Sequence, residues 1–283
     1  MGLGGYLAWT AVAREIHKAT KYTDFKFLPY EGTRNKIVKE IKNEIFKNNP
    51  YFRNPDEEIR TFPLWLNNPE ANYCSADTPQ RAIHRHDRHI IEQMCAFYGI
   101  YNPELRCELY FTDDEEERVA ELIKNLNSNF IVIEPHSKMN YTPNRIYPWE
   151  KWQNFVNTVS KHTQIVQVGA NESRVLDNVT NLTGQTSFRE AACLIGKSNL
   201  FVSTEGGLVH AATAVDTTSL VIITGYQHPK MVSYSQNINM NISSHGPCGL
   251  KIECQKCQDD ASKHEEDELI QKALDFLDED SIH

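Results

Sequence analysis

The chain has 283 residues, 40% hydrophobic and 24% charged, with a formal net charge of −9. This is the composition of a soluble globular protein, and the length suits two domains. The acidity argues against bulk nucleic-acid binding, and no stretch reaches the ~20 apolar residues that cross a bilayer.

The opening MGLGGYLAWTAVAREIHK has neither a basic leader nor an A-x-A cleavage site, so a cytoplasmic location is expected. Leu7, Val12 and Ile16 recur there at helical spacing. FKFLPY (25–30) predicts a strand. Segment 33–49 predicts a helix with Arg34, Lys36, Lys39, Lys42 and Lys47 set against Glu40 and Glu44. That face is either solvated and internally paired or a docking surface for an anionic acceptor or a membrane headgroup layer at the inner face. TFPLWL (61–66) predicts a strand, 85–100 an amphipathic helix and RCELYF (106–111) an alternating strand. TDDEEERVAELIKNL opens a helix capped by Thr112 or Asp113, with acids in its first turn where the dipole favours them.

Beyond this acidic joint the alternation is regular. Apolar strands at 129–135, 164–169, 199–204 and 219–224 are separated by helices at PWEKWQNFVNTVSKH, SFREAACLIGKS (Ser187 capping, Glu190 completing the box) and GLVHAATAV. Such spacing predicts a parallel, doubly wound sheet. The expected organisation is α/β: two Rossmann-like domains facing across a cleft, 1–115 and 116–264, with helix 265–280 packing back on the first.

Ligands of open α/β sheets bind beyond the strands' carboxyl ends, and the unusual residues fall there. His136, Ser137, Lys138 and, further on, Arg145 follow the first strand of the second half, Glu172 the next, and Glu205-Gly206-Gly207 the third. Two glycines before a helix N-terminus suit a diphosphate, and a carboxylate suits sugar hydroxyls. The plainer alternative is a tight turn with Glu205 against the helix dipole and His210 as a packing histidine. His84, His86, Asp87 and His89 form a titratable group, or simply a helix start.

The motifs IEPHSK, RIYPWEKW, VQVGANES, LTGQTSF and VSTEGGLVHAATA, in this order over 129–225, resemble glycosyltransferase family 9, the ADP-heptose:lipopolysaccharide heptosyltransferases. GLGGYLAWTAVAREI and RHIIEQMCAFYGI match more weakly in the first half. The resemblance implies a GT-B fold with a shortened N-terminal domain. It implies metal-independent, inverting transfer of a heptose-like sugar from a nucleotide diphosphate, ADP-heptose by default, to a glycan or lipid-linked acceptor such as lipopolysaccharide core. It sets Ser137 and Lys138 at the phosphates, Arg145 in place of a diphosphate-binding lysine, Glu172 at the ribose and Thr186 at the base. Glu205 replaces an aspartate, Gly206 and Gly207 complete its turn, and His210 belongs to the same motif. Gly4 and Gly5 fall in the acceptor-side loop, and Gly5 stands where the family's proposed base, an aspartate, is expected. A sugar-nucleotide binder without catalysis is the alternative, as is a hydrolase or epimerase using His210 or the 84–89 group.

Of seven cysteines, Cys74, Cys95, Cys107 and Cys193 sit singly in apolar patterns as small buried hydrophobes. Cys248, Cys254 and Cys257 cluster as C-x5-C-x2-C, like a loop near the C-terminus of many family members. They are either free thiols or, with His245 or Cys193 as a fourth ligand, a structural zinc or iron site. No cofactor is required for transfer.

Overall fold

The structure, a computed structural model, describes residues 2–22, 24–33, 36–66, 74–78, 80–84, 87–136 and 141–280. The first helix, α1 (Leu3–Ala19), is buried all round from Leu7 to Ala13, as a helix apolar on every face must be. Strands β1 (Phe25–Thr33), β2 (Lys36–Glu40) and β3 (Arg60–Trp65) form a sheet in the order β2-β1-β3, with β2 antiparallel and β3 parallel to β1. A hairpin of β4 (Cys74–Thr78) and β5 (Arg81–His84) leads to α2 (Ile90–Phe97). His89 caps α2 in a reciprocal box with Glu92. The acidic helix α3 (Asp113–Ile123) starts at Thr112, boxed by Glu115.

The second half contains β6 (Phe130–Glu134), α4 (Trp149–Val159), β7 (Gln164–Gln167), β8 (Thr180–Asn181), α5 (Phe188–Ile195), β9 (Leu200–Thr204), α6 (Gly207–Ala214), β10 (Ser219–Ile223), α7 (Pro229–Val232), β11 (Ile238–Asn241), α8 (Gln255–Lys263) and α9 (Glu266–Asp280). Its six strands are all parallel in the order β11-β10-β9-β6-β7-β8. Counted from β6 this is the doubly wound order that reverses once, between β6 and β9. Alternation along the strands feeds two cores. Phe130, Val132, Phe201, Val221 and Ile223 join α1, α2, α5 and α6. Ile131, Ile133, Leu200, Val202, Leu220 and Ile222 join α4 and α9.

Four expectations are corrected among the described residues. Segment 33–49 is not a basic helix. Ile37 and Val38 lie in β2, paired with β1, and only Glu44–Phe46 turns, as a single 3-10 turn capped by Asn43. β-branched residues beside a pairing partner outweigh the helical spacing, so the membrane-facing helix is absent. Segment 106–111 runs extended but joins no sheet. The Cys107 N–H donates to Thr213 Oγ1 at 3.3 Å and the Glu108 N–H to Thr10 Oγ1 at 2.9 Å, so side-chain hydroxyls replace a ladder. Helix α9 does not return to the first half, because Leu269, Ala273 and Leu277 pack with α4 on the second core. Nor does the first half form a second doubly wound sheet. Its three strands are mixed, and its helices share one core with the far sheet.

Arg189, 3% exposed on α5, ties these parts together. It holds Glu115 through two contacts of 2.7 and 2.8 Å and donates to the carbonyls of Glu44 and Tyr110. This grip pulls the Glu115 carboxyl down to about 2. Arg189→Ala removes the cation from the part-buried Glu115 carboxylate, which keeps the Thr112 N–H, and takes one donor from each of the Glu44 and Tyr110 carbonyls. The unfolding free energy from urea titration should fall by about 3 kcal/mol.

Candidate functional site

The reversal between β6 and β9 opens the carboxyl edge of the sheet, and the polar residues collect on it. Glu134 ends β6 opposite Ser203 of β9. Glu205 follows β9, 2% exposed, with Gly206 extended as the N-cap of α6 and Gly207 as its first residue. The α6 cap has no side-chain bond, so its first N–H groups face this edge unpaired by a cap. Arg145, from the turn after β6, lies 3.8 Å from the Glu205 carboxyl and stacks 4.8 Å over Tyr226. It donates to Gln227 Oε1 at 2.6 Å, and its buried Nε, the atom nearest Glu205, has no hydrogen-bond partner among the described residues.

Glu205 does not face outward as a sugar contact would. One extra methylene over aspartate carries its carboxyl across to Thr224 after β10. The Thr224 N–H donates to Oε2 at 3.2 Å, and the Thr224 hydroxyl lies 3.0 Å from Oε1 and 2.7 Å from the Asn144 carbonyl. A hydroxyl has one proton to give. Both short contacts are satisfied when Glu205 is protonated, donating to Thr224, which donates to Asn144. Burial independently pushes the Glu205 carboxyl up to about 7, against the pull of Arg145. Glu134 keeps some solvent contact, yet burial still pushes it up to about 8, opposed by its bond with Ser203. With Glu134 mostly neutral near pH 7 and Glu205 about half so, Arg145 and the α6 N-terminus outweigh the carboxyl charge at this edge.

The other expected residues divide into groups. Ser137 and Lys138 lie outside the described residues. Glu172 is exposed after β7, and Thr186 stands half-buried before α5. Their loops touch, since the Gly184 N–H donates to the Gly169 carbonyl at 2.8 Å and Asn171 fills the space a Cβ on Gly184 would take. The α5 that follows Thr186 reaches the seat, with Phe188 3.3 Å from where a Gly207 Cβ would be. Gly4 and Gly5 are in the first turns of α1, not in a loop. A Cβ on Gly4 would lie 2.7 Å from His210 Cδ2 and 3.4 Å from Gly207 Cα, so α1 approaches α6 this closely only through glycine.

His210 Nδ1 meets the Tyr234 hydroxyl at 2.5 Å, and burial followed by Arg145 lowers its pKa to about 4. Its neighbour His89 is lowered to about 3 by burial and by His210. Of the 84–89 group, the structure describes the side chains of Asp87 and His89. His89 is an internal cap, Asp87 is exposed beside Arg88, and the side chains of His84 and His86 lie outside the described residues. Glu134, Asn144, Thr224 and Gln227 escaped the sequence reading. The signal for the last two was present, because ITGYQ leaves β10 with polar residues at the same sheet edge.

A second constellation lies beside the first. His245 Nε2 is 3.5 Å from Cys257 Sγ and 3.9 Å from Cys254 Sγ, and Cys248 Sγ is 3.5 Å from Cys257 Sγ. The ligand atoms of a tetrahedral zinc or iron lie ~3.5–3.8 Å apart, so His245, Cys254 and Cys257 are spaced for one ion, and Cys248 adjoins them through Cys257. Asp260 Oδ2 stands 2.9 Å from His245 Nδ1, which presents Nε2 to the cluster. The hydrogen-bonded Cys257 thiol holds Cys248 below the usual thiol range. Cys193 takes no part; it is buried on α5, and Cys95 and Cys107 are likewise buried free thiols.

Comparisons with known proteins agree with this geometry. The model of glycosyltransferase family 9 (heptosyltransferase) matches residues 72–263. No curated protein matches the sequence. Among solved structures, the fold resembles a family 9 glycosyl transferase from Veillonella parvula DSM 2008 at TM-score 0.68 and 12% identity, covering 99% of this chain and 95% of that one. It also resembles TibC, an iron-containing dodecameric glycosyltransferase from enterotoxigenic E. coli H10407, at 0.64 and 14%, covering 99% and 74%. TibC solved with ADP-D-beta-D-heptose gives 0.54 and 15%, covering 88% and 62%. ADP-heptose lps heptosyltransferase II of E. coli gives 0.53 and 15%, covering 69% and 63%.

The buried titrating groups give a stability profile. Glu134 and Glu205 have folded pKa values above the unfolded 4.5, so their contribution is lost as pH rises through about 7 and 8. His89 and His210 are depressed below 6.5, so theirs is lost as pH falls below that value. The two effects oppose each other from pH 4.5 to 6.5, and above it the carboxyls act against the lowered Cys248 thiol, which stabilises the fold as pH rises. The thermal midpoint of the unmutated chain should therefore fall relative to that of Glu134→Gln between pH 6.5 and 8. For the second constellation, Cys254→Ser should lower the zinc or iron found by elemental analysis of purified protein. An unmutated protein free of both metals would refute that site.

Proposed function

The chain belongs to glycosyltransferase family 9, and on that premise we propose that it transfers a heptose-like sugar from a nucleotide diphosphate, ADP-heptose by default, to a glycan such as lipopolysaccharide core. The observation that carries this reading is the β9–α6 corner. There Arg145, whose buried Nε has no hydrogen-bond partner among the described residues, stands beside the uncapped helix N-terminus and 3.8 Å from a carboxyl pushed towards neutrality. A cationic fork with helix N–H groups fits a diphosphate. The structure of TibC in complex with ADP-D-beta-D-heptose supports the choice of donor.

In this reading residues 116–264 bind the donor. Arg145 and the α6 N–H groups hold the diphosphate, with Ser137 and Lys138 beside it, Glu172 at the ribose and Thr186 at the base. Glu205 backs Arg145 instead of touching the sugar. The acceptor comes from the side of the first 115 residues. Its hydroxyl oxygen attacks the anomeric carbon opposite the leaving group, and the bond to the diphosphate oxygen breaks. The nucleotide diphosphate departs with the electron pair, stabilised by Arg145 and the helix end without a metal at the reacting atoms. The acceptor's proton passes to a base that Gly5, having no side chain, cannot supply.

His245, Cys248, Cys254 and Cys257 would hold a structural zinc or iron, whose bonds close the loop they lie on. Asp260 orients His245 for it.

Incubation with ADP-heptose, with and without lipopolysaccharide core, tests the function. Nucleotide release only with acceptor is expected. Release without acceptor would instead establish a hydrolase, and tight binding without turnover a binder. Arg145→Ala should weaken ADP binding by about ten-fold or more while leaving adenosine unchanged. Equal losses for ADP and adenosine would remove Arg145 from the diphosphate.

A further inference from the structure

One side chain joins the cysteine loop to the arginine loop. Asn144, 1% exposed, immediately precedes Arg145. Its Nδ2 donates to the carbonyls of Leu250 and Ile252, each at 2.8 Å, and its Oδ1 accepts from the Cys254 N–H at 2.8 Å. Both amide hydrogens and one acceptor site are therefore committed to five consecutive residues of the other loop. Thr142 adds a fourth bond, from its hydroxyl to the Leu250 carbonyl at 2.7 Å. On its other side, the Asn144 carbonyl receives the Thr224 hydroxyl that also meets Glu205. Asn144 thus sits in a ring that closes through Thr224, Glu205 and Arg145.

The gripped loop is not held by regular structure. Leu250 to Cys254 lies between Gly249, at φ 62, and the start of α8, and Cys254 is the N-cap of that helix. What fixes it is the set of contacts among His245, Cys248, Cys254 and Cys257, together with hairpin β4–β5. There the Lys251 N–H donates to the Gln80 carbonyl at 2.7 Å, and Arg81 bridges Leu250. A buried amide that spends all its donors on such a loop copies the order of that loop onto its own backbone.

We propose that Asn144 is a positioning residue that transmits the order of the His245–Cys254–Cys257 loop to the Arg145 guanidinium, so that the grip on a diphosphate depends on that loop. The purpose of this coupling rests on the diphosphate reading of Arg145; the coupling itself does not. Asn144 touches no substrate. Removing its side chain lets the peptide that carries Arg145 drift, and small misplacements of a binding group are costly.

Hydrogen exchange on the full chain tests the coupling without any ligand. In Asn144→Ala the amides of Asn144, the Ile146 turn and Cys254 should exchange at least ten-fold faster, while β6 and β9 keep their protection and show the fold intact. Unchanged exchange at those three amides would overturn the proposal. Chelation of protein reconstituted with Zn2+ should speed the first two amides in the unmutated chain and add nothing in Asn144→Ala. Further acceleration in the variant would mean the loop acts by another route, and would also overturn it. ADP binding then tests the purpose. Asn144→Ala should weaken ADP by about ten-fold, leave adenosine unchanged, and cost nothing further when combined with Arg145→Ala. Additive losses would refute action through Arg145. Faster exchange with no ADP affinity in any form, including the unmutated chain, would leave the coupling standing and sink the diphosphate reading instead.

Discussion

A carboxyl buried at the edge of a parallel sheet has to be neutralised, and much of the site follows from how this is done for Glu205. Desolvation works against its charge, and the side chains that meet it among the described residues are Thr224, one strand over, and Arg145, at 3.8 Å. Thr224 has one hydroxyl proton and two acceptors to serve, so protonation of Glu205 completes the set. Arg145 is then left with more positive charge than its pair consumes. Its bond to Gln227 and its stacking on Tyr226 orient it without cancelling that charge. An anion arriving at the α6 N-terminus meets a guanidinium only partly committed.

The same edge is closed on its far side by a contact that needs glycine at position 4. Gly4 lets α1 lie against Gly207 at the start of α6, and His210 fills the space beneath. With no cap on α6 and no side chain on either glycine, the helix end is shaped by backbone alone. His210 is neutral and tied to Tyr234, which fits a wall better than a proton carrier. The first half needs no second doubly wound sheet to do this. Arg14 anchors α1 to the connector, reaching the carbonyls of Glu104 and Arg106 and the Glu108 carboxylate.

Where interactions were local, the sequence was legible. Ser187 with Glu190, and Thr112 with Glu115, announce helix starts that the structure confirms as reciprocal caps. The apolar runs of β6, β9 and β10 read as buried parallel strands, which fixed the edge on which ligand residues would gather. Non-local partners defeated the rest. Ile37, Ile41 and Ile45 recur every fourth residue as in a helix, and only pairing with β1 overrules them. RCELYF alternates like a strand, but its amides are claimed by Thr10 and Thr213 about a hundred residues away. For α9 the apolar face was plain and its destination was not, because that depends on which face of the sheet α4 leaves open. The residue type at 205 pointed to the site, while the direction of its side chain depended on Thr224, which no local pattern names.

Asn144 shows why the two constellations are better understood as one. Taken singly, the cysteine loop is a candidate metal-ligand set and the Arg145 turn is half of the proposed anion seat. A loop of irregular backbone can hold a charged group in one place only if its own carbonyls and amides are satisfied by something rigid. Here the turn's asparagine satisfies the cysteine loop, and the turn's carbonyl is satisfied by Thr224, itself fixed at the end of β10. Cross-linking the cysteine loop by metal bonds would therefore stiffen the arginine without any ligand bond reaching it. The same loop also carries the Gln80 and Arg81 contacts of the first half. A centre that touches no reacting atom can in this way set the geometry on both sides of the site, which gives a physical reason for placing three thiols and an imidazole so close to a binding edge.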